Sequence, residues 1–425
     1  MKKYVQWPPN FGFKTAADHR NPSDKHFHRH PELSFQEKET AARISHELGK
    51  LGNFEIQSGI GGHGVAAVLK NGPGKSILLR ADIDGLPVEE KTNVPYASKE
   101  RMKDDADGVE KPTMHACGHD VHITALLMAA ETLSKAQSEW KGTLILVFQP
   151  AEERAGGARA MIADGLYDKV PSPDVVVGGH VVPFREGVIG TKHGLIASAA
   201  DSFDLHIEGR QAHASTPHVG IDPIVQAAST ILRLQTIVSR EVDPSDFGVV
   251  TVSSIHSGDA VNIIPQSADV KLNVRTGVPL TRERVLKSIS RIISAEAQAS
   301  NAPIEPTLTP TINFPFLYND ATVTAALEQT FAAHFGDEYS DNIPRLQGSE
   351  DFGILATAIE KPSCFFLYGG VEKGLYDKLV EEGRGNEIPG NHSPHFLPTV
   401  DSVRVGCEAY VVSALTFMGK GEEGS

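Results

Sequence analysis

Residues 77–84 read Ile77-Leu78-Leu79-Arg80-Ala81-Asp82-Ile83-Asp84, an apolar run that ends in carboxylates. Similar short apolar runs occur at 65–69, 144–148 and 175–177. Runs of this length without a polar face are typical of strands that are buried on both sides. Helical stretches are predicted at 31–51, before these runs, and at 121–140, between two of them. The alternation predicts an α/β domain with a mostly parallel sheet that helices cover.

The sequence changes character near residue 197, where apolar and polar residues begin to alternate. The predicted order is strand, helix, strand, strand, helix, strand, at 203–207, 223–239, 248–255, 268–274, 282–299 and near Ile304. This order is ferredoxin-like and predicts an α+β unit in which two helices pack on one face of an antiparallel sheet. The α/β pattern then resumes, with helices at 321–335 and 402–418 and a strand at 364–368. We therefore predict a discontinuous first domain, residues 1–195 and 311–425, with residues 196–310 inserted.

Composition limits the possible partners. The 425 residues carry 40 Lys and Arg against 54 Asp and Glu, a net charge of −14, which disfavours nucleic acid and anionic membranes. No run of about 18 apolar residues could span a bilayer, and three cysteines are too few for a disulfide scaffold. These features predict a soluble cytoplasmic protein. The first 25 or so residues are polar and interrupted by prolines, which predicts an extended arm on the surface.

Metal-binding residue types are concentrated at Met114-His115-Ala116-Cys117-Gly118-His119-Asp120-Val121-His122. Thiolate and neutral imidazole are good ligands for zinc and other first-row metals. For any one histidine, an exposed position beside a helix N-cap at Asp120 is the simpler interpretation. The whole cluster favours a metal site.

Acidic residues and histidine also follow the predicted strands. Gln149-Pro150-Ala151-Glu152-Glu153 comes after the run at 144–148, and Gly178-Gly179-His180 after the run at 175–177. Ligands and catalytic groups gather at the carboxyl ends of parallel strands. One glutamate can bind a metal while the other acts as a general base, although a solvated pair at a helix start is the competing interpretation. Spacing alone does not separate His392 from His395 in Asn391-His392-Ser393-Pro394-His395-Phe396.

Five motifs together resemble the aminoacylase and carboxypeptidase family of dinuclear metallohydrolases, and within it the branch of N-acyl-amino-acid amidohydrolases that includes hippurate hydrolases and auxin-conjugate hydrolases. The resemblance extends from about His28 to the C-terminal helix and keeps the order of the motifs. The motifs are residues 80–87, 115–120, 149–153, 179–181 and 391–394, read as RADIDGLP, HACGHD, QPAEE, GHV and NHSP.

The resemblance implies a role for each matched residue of the catalytic domain. Glu152 would be the general base, Asp84 would orient a ligand, and His395 would be incidental. The ions would be two divalent metals, zinc or manganese, with cobalt or nickel as alternatives. The implied metal ligands are Cys117, His119, Glu153, His180 and His392.

In the inserted domain, the resemblance implies that His213 reaches the active site of a partner subunit, so that this domain acts as lid and homodimer interface. Asn262 and Arg275 match substrate-contacting positions, with an Asn turn and an exposed strand Arg as alternatives. Residues 348–353 resemble a segment that lines the pocket.

The implied reaction is cleavage of the amide bond of an N-acyl or N-aroyl amino acid by metal-bound water, which gives a carboxylic acid and a free amino acid. Alternatives are a metallo-carboxypeptidase or dipeptidase of the same family, a thiol amidase with Cys117 as nucleophile, and a metal-binding protein without catalysis. A Cys117 nucleophile would be paired with His119 or His122.

Overall fold

The computed structural model describes residues 22–346 and 348–419. Most of the predicted N-terminal arm, residues 1–21, lies outside the described residues, and Pro22–Arg29 forms a helix. The described chain divides into two compact units. The first contains residues 22–196, Tyr318–Arg345 and 351–419, and the second contains Ala197–Leu317 and Leu346–Glu350.

The strands, in chain order, are β1 (Glu55–Ile60), β2 (Gly64–Asn71), β3 (Ser76–Asp82), β4 (Arg101–Lys103), β5 (Glu110–Pro112), β6 (Gly142–Gln149), β7 (Val175–Arg185), β8 (Ile189–Gly190), β9 (Gly194–Ala197), β10 (Ala199–Glu208), β11 (Ala212–His213), β12 (Gly248–His256), β13 (Ile263–Ile264), β14 (Ser267–Thr276), β15 (Thr307–Phe314), β16 (Leu317–Asn319), β17 (Tyr339–Ser340) and β18 (Ser363–Val371).

The helices are α1 (Pro22–Arg29), α2 (Lys38–Gly49), α3 (His119–Lys135), α4 (Gly157–Ala163), α5 (Leu166–Lys169), α6 (Pro223–Arg240), α7 (Pro279–Ala299), α8 (Ala321–Phe335), α9 (Gly353–Thr357), α10 (Lys373–Glu381) and α11 (Val400–Met418). Short 3-10 turns lie at Glu152–Arg154, Pro217–Val219, Gly336–Glu338 and Gly385–Glu387. Among the helices of the described residues, none is long and apolar enough to cross a membrane.

The first unit is built on an eight-stranded sheet in the order β1-β2-β6-β3-β7-β18-β8-β17. Its central strands β6, β3, β7 and β18 are parallel, while β1, β2 and β6 pair antiparallel along one edge. The predicted α/β fold with a mostly parallel sheet is confirmed. The central strands are apolar because both faces are covered, so alternate residues have no solvent side to require polarity.

One face of this sheet packs against α3 and α11. Ile77, Leu79 and Ala81 of β3 belong to that core and are fully buried. Burial of each leucine or isoleucine side chain contributes about 1.5–3 kcal/mol relative to exposure. Residues with the opposite orientation, among them Arg80, face the other side of the sheet, as the two-residue period of a strand requires.

Strand β7 loses its partner β3 halfway along its length. The pairing of β3 with β7 ends at Arg80 and Gly178, whereas β7 stays paired with β18 as far as Arg185. His180 therefore lies within a longer strand, beyond the last β7 residue that pairs with β3, and not at the strand end that the sequence predicted. The departure of β3 leaves space beside His180 for side chains from other elements.

The second unit has a four-stranded antiparallel sheet in the order β12-β14-β10-β15. Leu205 of β10 and Val270 of β14 are cross-strand partners and share a core with residues of α6 and α7. Helix α6 begins at Pro223 because the Asp222 side chain accepts hydrogen bonds from the first free backbone N–H groups.

Three predicted elements were wrong in their bounds. The helix predicted at 31–51 occupies only Lys38–Gly49, because residues before it form a turn. Helix α3 ends at Lys135 instead of residue 140, where the chain turns and the Trp140 indole donates to Leu133 O at 3.0 Å. The strand predicted near Ile304 is β15, Thr307–Phe314, which pairs with β10.

Candidate metal centre

A glycine turn brings Cys117 and His119 to the same place. Gly118 has a φ of 84°, in the left-handed region, and a Cβ atom on it would lie 2.4 Å from Cγ1 of Val181. Any larger residue would require the Val181 side chain to move and would be strained at this φ. Gly118 is also the N-cap of α3, so the alternative of an N-cap at Asp120 is wrong.

The predicted ligand atoms converge in the first unit. Cys117 Sγ lies 3.4 Å from His180 Nε2. Glu153 Oε1 lies 4.0 Å from His119 Nε2 and 3.3 Å from His392 Nε2. The ligand atoms of Cys117, His119 and Glu153 all lie within 4.8 Å of one another. The structure therefore brings together the five residues that the resemblance implies.

The orientation of the imidazoles fits metal binding. His119 Nδ1 donates to Asp84 O at 2.9 Å, and His180 Nδ1 donates to Val181 O at 2.7 Å, so in both rings Nε2 is the nitrogen that is left to bind a metal. Within the described residues, the buried atoms His119 Nε2 and Glu153 Oε1 have no hydrogen-bond partner. Such atoms are costly to bury unless something binds them. A thiol, three imidazoles and a carboxylate form a donor set that fits zinc and other first-row metals.

The surrounding charges favour a cation. Burial disfavours a charge on His119, but the Asp82 carboxylate and its neighbours outweigh burial and raise the pKa of the imidazole to about 10. Burial, together with the charges of Glu153 and Glu152, raises the pKa of the Cys117 thiol well above its usual value. A thiolate nucleophile without a nearby cation is therefore disfavoured here.

Asp84 forms hydrogen bonds with two of the predicted ligand residues, His119 and Glu153. Its Oδ2 accepts hydrogen bonds from Ser34 Oγ at 2.6 Å and from the Glu153 backbone N–H at 3.1 Å. Its backbone carbonyl accepts from His119. Asp84 therefore lies where it can orient two ligands at once, which is the role that the resemblance implies for it.

Sequence reasoning missed a hydrogen-bonded chain beneath the site. His122 Nδ1 donates to Asp82 Oδ1 at 2.5 Å, and the Val181 N–H donates to His122 Nε2 at 2.9 Å. The carbonyl of Val181 in turn holds His180, and Arg80 donates to Asp82 Oδ2 at 2.8 Å. Both ring nitrogens of His122 are thus engaged by protein groups, although the ligand atoms of Asp82, His119, His122 and His180 also lie within 4.8 Å of one another. In the sequence, the only sign of this chain of hydrogen bonds was Arg80, a charged residue within an apolar run.

The loop that carries His392 is fixed to the rest of the site. His392 has a φ of 70°, and its N–H donates to Ala116 O at 2.7 Å. The Asn391 side chain donates to the carbonyl oxygens of Cys117 at 3.1 Å and Val181 at 3.2 Å. These bonds bring the His392 ring against Glu153 by holding the backbone beside it.

His395 is placed differently. It is exposed, and its Nδ1 donates to Lys91 O at 3.1 Å. Of the two histidines that spacing could not separate, only His392 has an imidazole nitrogen close to Glu153 Oε1.

The remaining predicted residues lie in the second unit. His213 is exposed on β11, which pairs with β13, and Ala214 N donates to Asn262 O at 2.9 Å, so His213 and Asn262 are close neighbours. Arg275 is half-buried, and its guanidinium donates to Asn273 Oδ1 at 3.0 Å and Ser349 Oγ at 2.9 Å. Both partners are neutral, and within the described residues no carboxylate pairs with Arg275.

Known proteins match most of the chain. Residues 78–410 match the model of peptidase family M20/M25/M40. A hippurate hydrolase of Campylobacter jejuni is 38% identical over 352 residues, which cover 82% of this chain and 87% of that protein. An N-acetyl-L-cysteine deacetylase of Bacillus subtilis is 39% identical over 351 residues, 81% of this chain and 79% of that protein.

A solved structure shows the same fold. The YXEP protein of Bacillus subtilis, described as a dinuclear metal binding peptidase, is 30% identical, with a TM-score of 0.70 over 92% of this chain and 96% of that chain. The sequence match, the shared fold and the converging donor atoms agree with the family that the motifs predicted. This chain belongs to peptidase family M20/M25/M40.

Proposed function

We propose that this protein is a metal-dependent amidohydrolase that cleaves N-acyl or N-aroyl amino acids into a carboxylic acid and a free amino acid. The observation that carries the proposal is a second carboxylate, Glu152, directly beside Glu153 of the ligand cluster. A site that only stores metal needs no such base. The names of the hippurate hydrolase and deacetylase relatives support this substrate class.

Five residues would hold a pair of divalent ions, namely Cys117, His119, Glu153, His180 and His392. When bound, such ions lower the pKa of water and polarise a carbonyl group. The mixed donor set favours zinc or manganese and admits cobalt or nickel. Asp84 keeps Glu153 and His119 in place, and the chain of Asp82, His122 and Val181 does the same for His180.

Glu152 acts as the general base. It takes a proton from the attacking water and returns it to the amide nitrogen, which must be protonated before it can leave. Glu152 is only 5% exposed, so bulk water does not compete for its carboxylate. His213 would stabilise the negative charge that develops on the carbonyl oxygen.

Arg275 supports recognition of the amino-acid carboxylate, because a half-buried guanidinium with neutral partners lacks a counter-charge. We expect Arg275→Met to raise KM for N-benzoyl amino acids by about 10- to 100-fold and to leave the corresponding amides, which lack the carboxylate, nearly unaffected. KM values for N-benzoyl amino acids and for their C-terminal amides, determined for the wild type and the variant, measure this, and a panel of N-acetyl, N-benzoyl and indole-acetyl amino acids with unblocked dipeptides tests the substrate class. Arg284→Met, at an exposed arginine, is the control.

Equal losses on acids and amides would reject this role for Arg275. Dipeptides as the best substrates of the wild type would instead favour the carboxypeptidase or dipeptidase alternative.

We also propose that the inserted domain, predicted at residues 196–310, forms a ferredoxin-like lid and homodimer interface. The second unit differs from the predicted bounds, since it continues past the end of β15 to Leu317 and includes Leu346–Glu350. The chain order of β10, α6, β12, β14, α7 and β15 and the sheet order β12-β14-β10-β15 support this topology. The edge strand β12 exposes Val249 and Ile255, and pairing with a second copy would cover such an edge. His213 would then complete the partner's site.

Subunit complementation tests the shared site. His213→Ala chains and Glu152→Gln chains should each be nearly inactive alone. After subunit exchange, each heterodimer would have one centre with both residues intact, so an equal mixture should recover about a quarter of wild-type activity. No recovery despite proven heterodimers would show that His213 does not serve the partner.

A cytoplasmic location is also part of the proposal. Cys117, Cys364 and Cys407 are all buried as free thiols, which suits a reducing compartment.

A further inference from the structure

Glu152 and Glu153 lie on a loop with unusual backbone geometry. Ala151 and Ala155 have φ values of 47° and 52°, in a region that residues other than glycine rarely adopt. The loop closes on itself so tightly that a Cβ atom on Gly157 would lie 1.5 Å from Pro150 O. Backbone of this kind persists only where the surrounding structure holds it.

Glu37 holds this loop from a distant part of the chain. It is fully buried just before α2, and its Oε1 accepts hydrogen bonds from the N–H groups of Ala151 at 2.7 Å and Phe35 at 3.0 Å. Both donors belong to residues with positive φ, 47° at Ala151 and 66° at Phe35. One carboxylate oxygen therefore fixes two strained positions that are far apart in the sequence.

Neighbours of Glu37 contact the same loop. The Phe35 ring lies over Gly156, where a Cβ atom would come within 2.6 Å of Phe35 Cζ. Ser34 Oγ donates to Asp84 Oδ2, which also accepts from the Glu153 N–H. Residues 33–37 thus hold the backbone of the loop on both sides of Glu152.

We propose that Glu37 is a positioning residue that sets the direction of Glu152 through the Ala151 peptide. The inference rests on the proposed function, since it requires Glu152 to be the base. Ala151 directly precedes Glu152, so a rotation of the Ala151 peptide would displace the Glu152 carboxylate. A displacement of about 1 Å in a reacting group can cost about 10²-fold in rate.

Three substitutions separate the hydrogen bond from mere bulk. Glu37→Gln keeps an oxygen acceptor at Oε1 and should retain kcat within about threefold. Glu37→Leu removes the acceptor and should lower kcat by about 10²-fold, with KM and metal content unchanged. Glu37→Asp retracts the acceptor by one methylene and should lower kcat by about tenfold, which keeps the test valid if the leucine variant does not fold. Glu39→Leu, at an exposed glutamate of α2, is the control.

A double-mutant cycle distinguishes positioning from general destabilisation. If Glu37 acts through Glu152, Glu37→Leu, or Glu37→Asp in its place, should lower kcat by less than about threefold in a Glu152→Gln background. Equal fractional losses in both backgrounds, or equal losses for the glutamine and leucine variants, would overturn the proposal. Failure of the proposed function looks different, because wild-type protein would then not hydrolyse N-acyl amino acids or Glu152→Gln would stay active.

Discussion

Replacing Glu152 with glutamine is expected to lower kcat by about 10² or more while the protein keeps its metal. Glutamine has nearly the same shape as glutamate, but its amide cannot accept the proton of the attacking water. The hydrogen bonds of Glu37 and Asp84 to the backbone of this loop do not involve the Glu152 side chain, so the fold should be unchanged. Steady-state kinetics with N-benzoylglycine and metal analysis of the same sample measure both quantities.

Glu153→Gln is the matched comparison, one residue along the same loop. Glu153 Oε1 lies within 4.0 Å of imidazole nitrogens of His119 and His392, so its loss should lower metal occupancy as well as activity. Carboxylate ligands bind metals as anions, so a neutral amide at this position should weaken the metal site. If Glu152→Gln lost the metal and Glu153→Gln kept it, the base and ligand assignments would have to be exchanged.

Removal of metal is expected to abolish amide hydrolysis, and adding divalent ions back should restore it. Purified protein should contain close to two ions per chain, because the donor atoms of five side chains converge in the first unit. Cys117→Ser should weaken metal binding, since Cys117 Sγ lies 3.4 Å from His180 Nε2 within the cluster.

A thiol amidase would behave in the opposite way, with turnover lost in Cys117→Ser and metal content unchanged. Full activity in exhaustively demetallated protein would contradict a metal-dependent reaction. Dialysis against a chelator, metal analysis and a hydrolysis assay before and after reconstitution distinguish these cases.

The sequence predicted the central strands and several helices closely. Strand β3 was recognisable because a strand covered on both faces must be apolar along its whole length. Helix α8 was predicted at its observed bounds, since Asp320 caps its first turn and the apolar period continues to Phe335. These features depend on residues that are close in the sequence.

The errors occur where contacts between distant residues decide the structure. Leu33 is at helical spacing from Ala41 and Ile44, yet the residues just before α2 form a turn. The Glu37 side chain at the end of this turn accepts a hydrogen bond from Ala151, 114 residues away. Local pattern carries no information about such a partner. Tertiary contacts of this kind override helix propensity.

For the site, the motifs pointed to ligand candidates but not to the residues that support them. His122 was available as a ligand from its residue type, and only its bonds to Asp82 and Val181 show that both ring nitrogens are engaged. Spacing did not separate His392 from His395, and in the structure only His392 places an imidazole nitrogen close to Glu153 Oε1. Residue type predicts which side chains can bind a metal, whereas the tautomer of a histidine and the direction of its side chain depend on the fold.

Anomalous diffraction from crystals grown with zinc or manganese tests the proposed metal centre most directly. We predict two peaks about 3.5–4 Å apart. Protein ligands should lie at about 2.0–2.3 Å, supplied by Cys117, His119, Glu153, His180 and His392, with Glu152 beside the pair but bound to neither ion. A single ion held by Asp82, His122 and His180, or no ion at Cys117, would contradict this account.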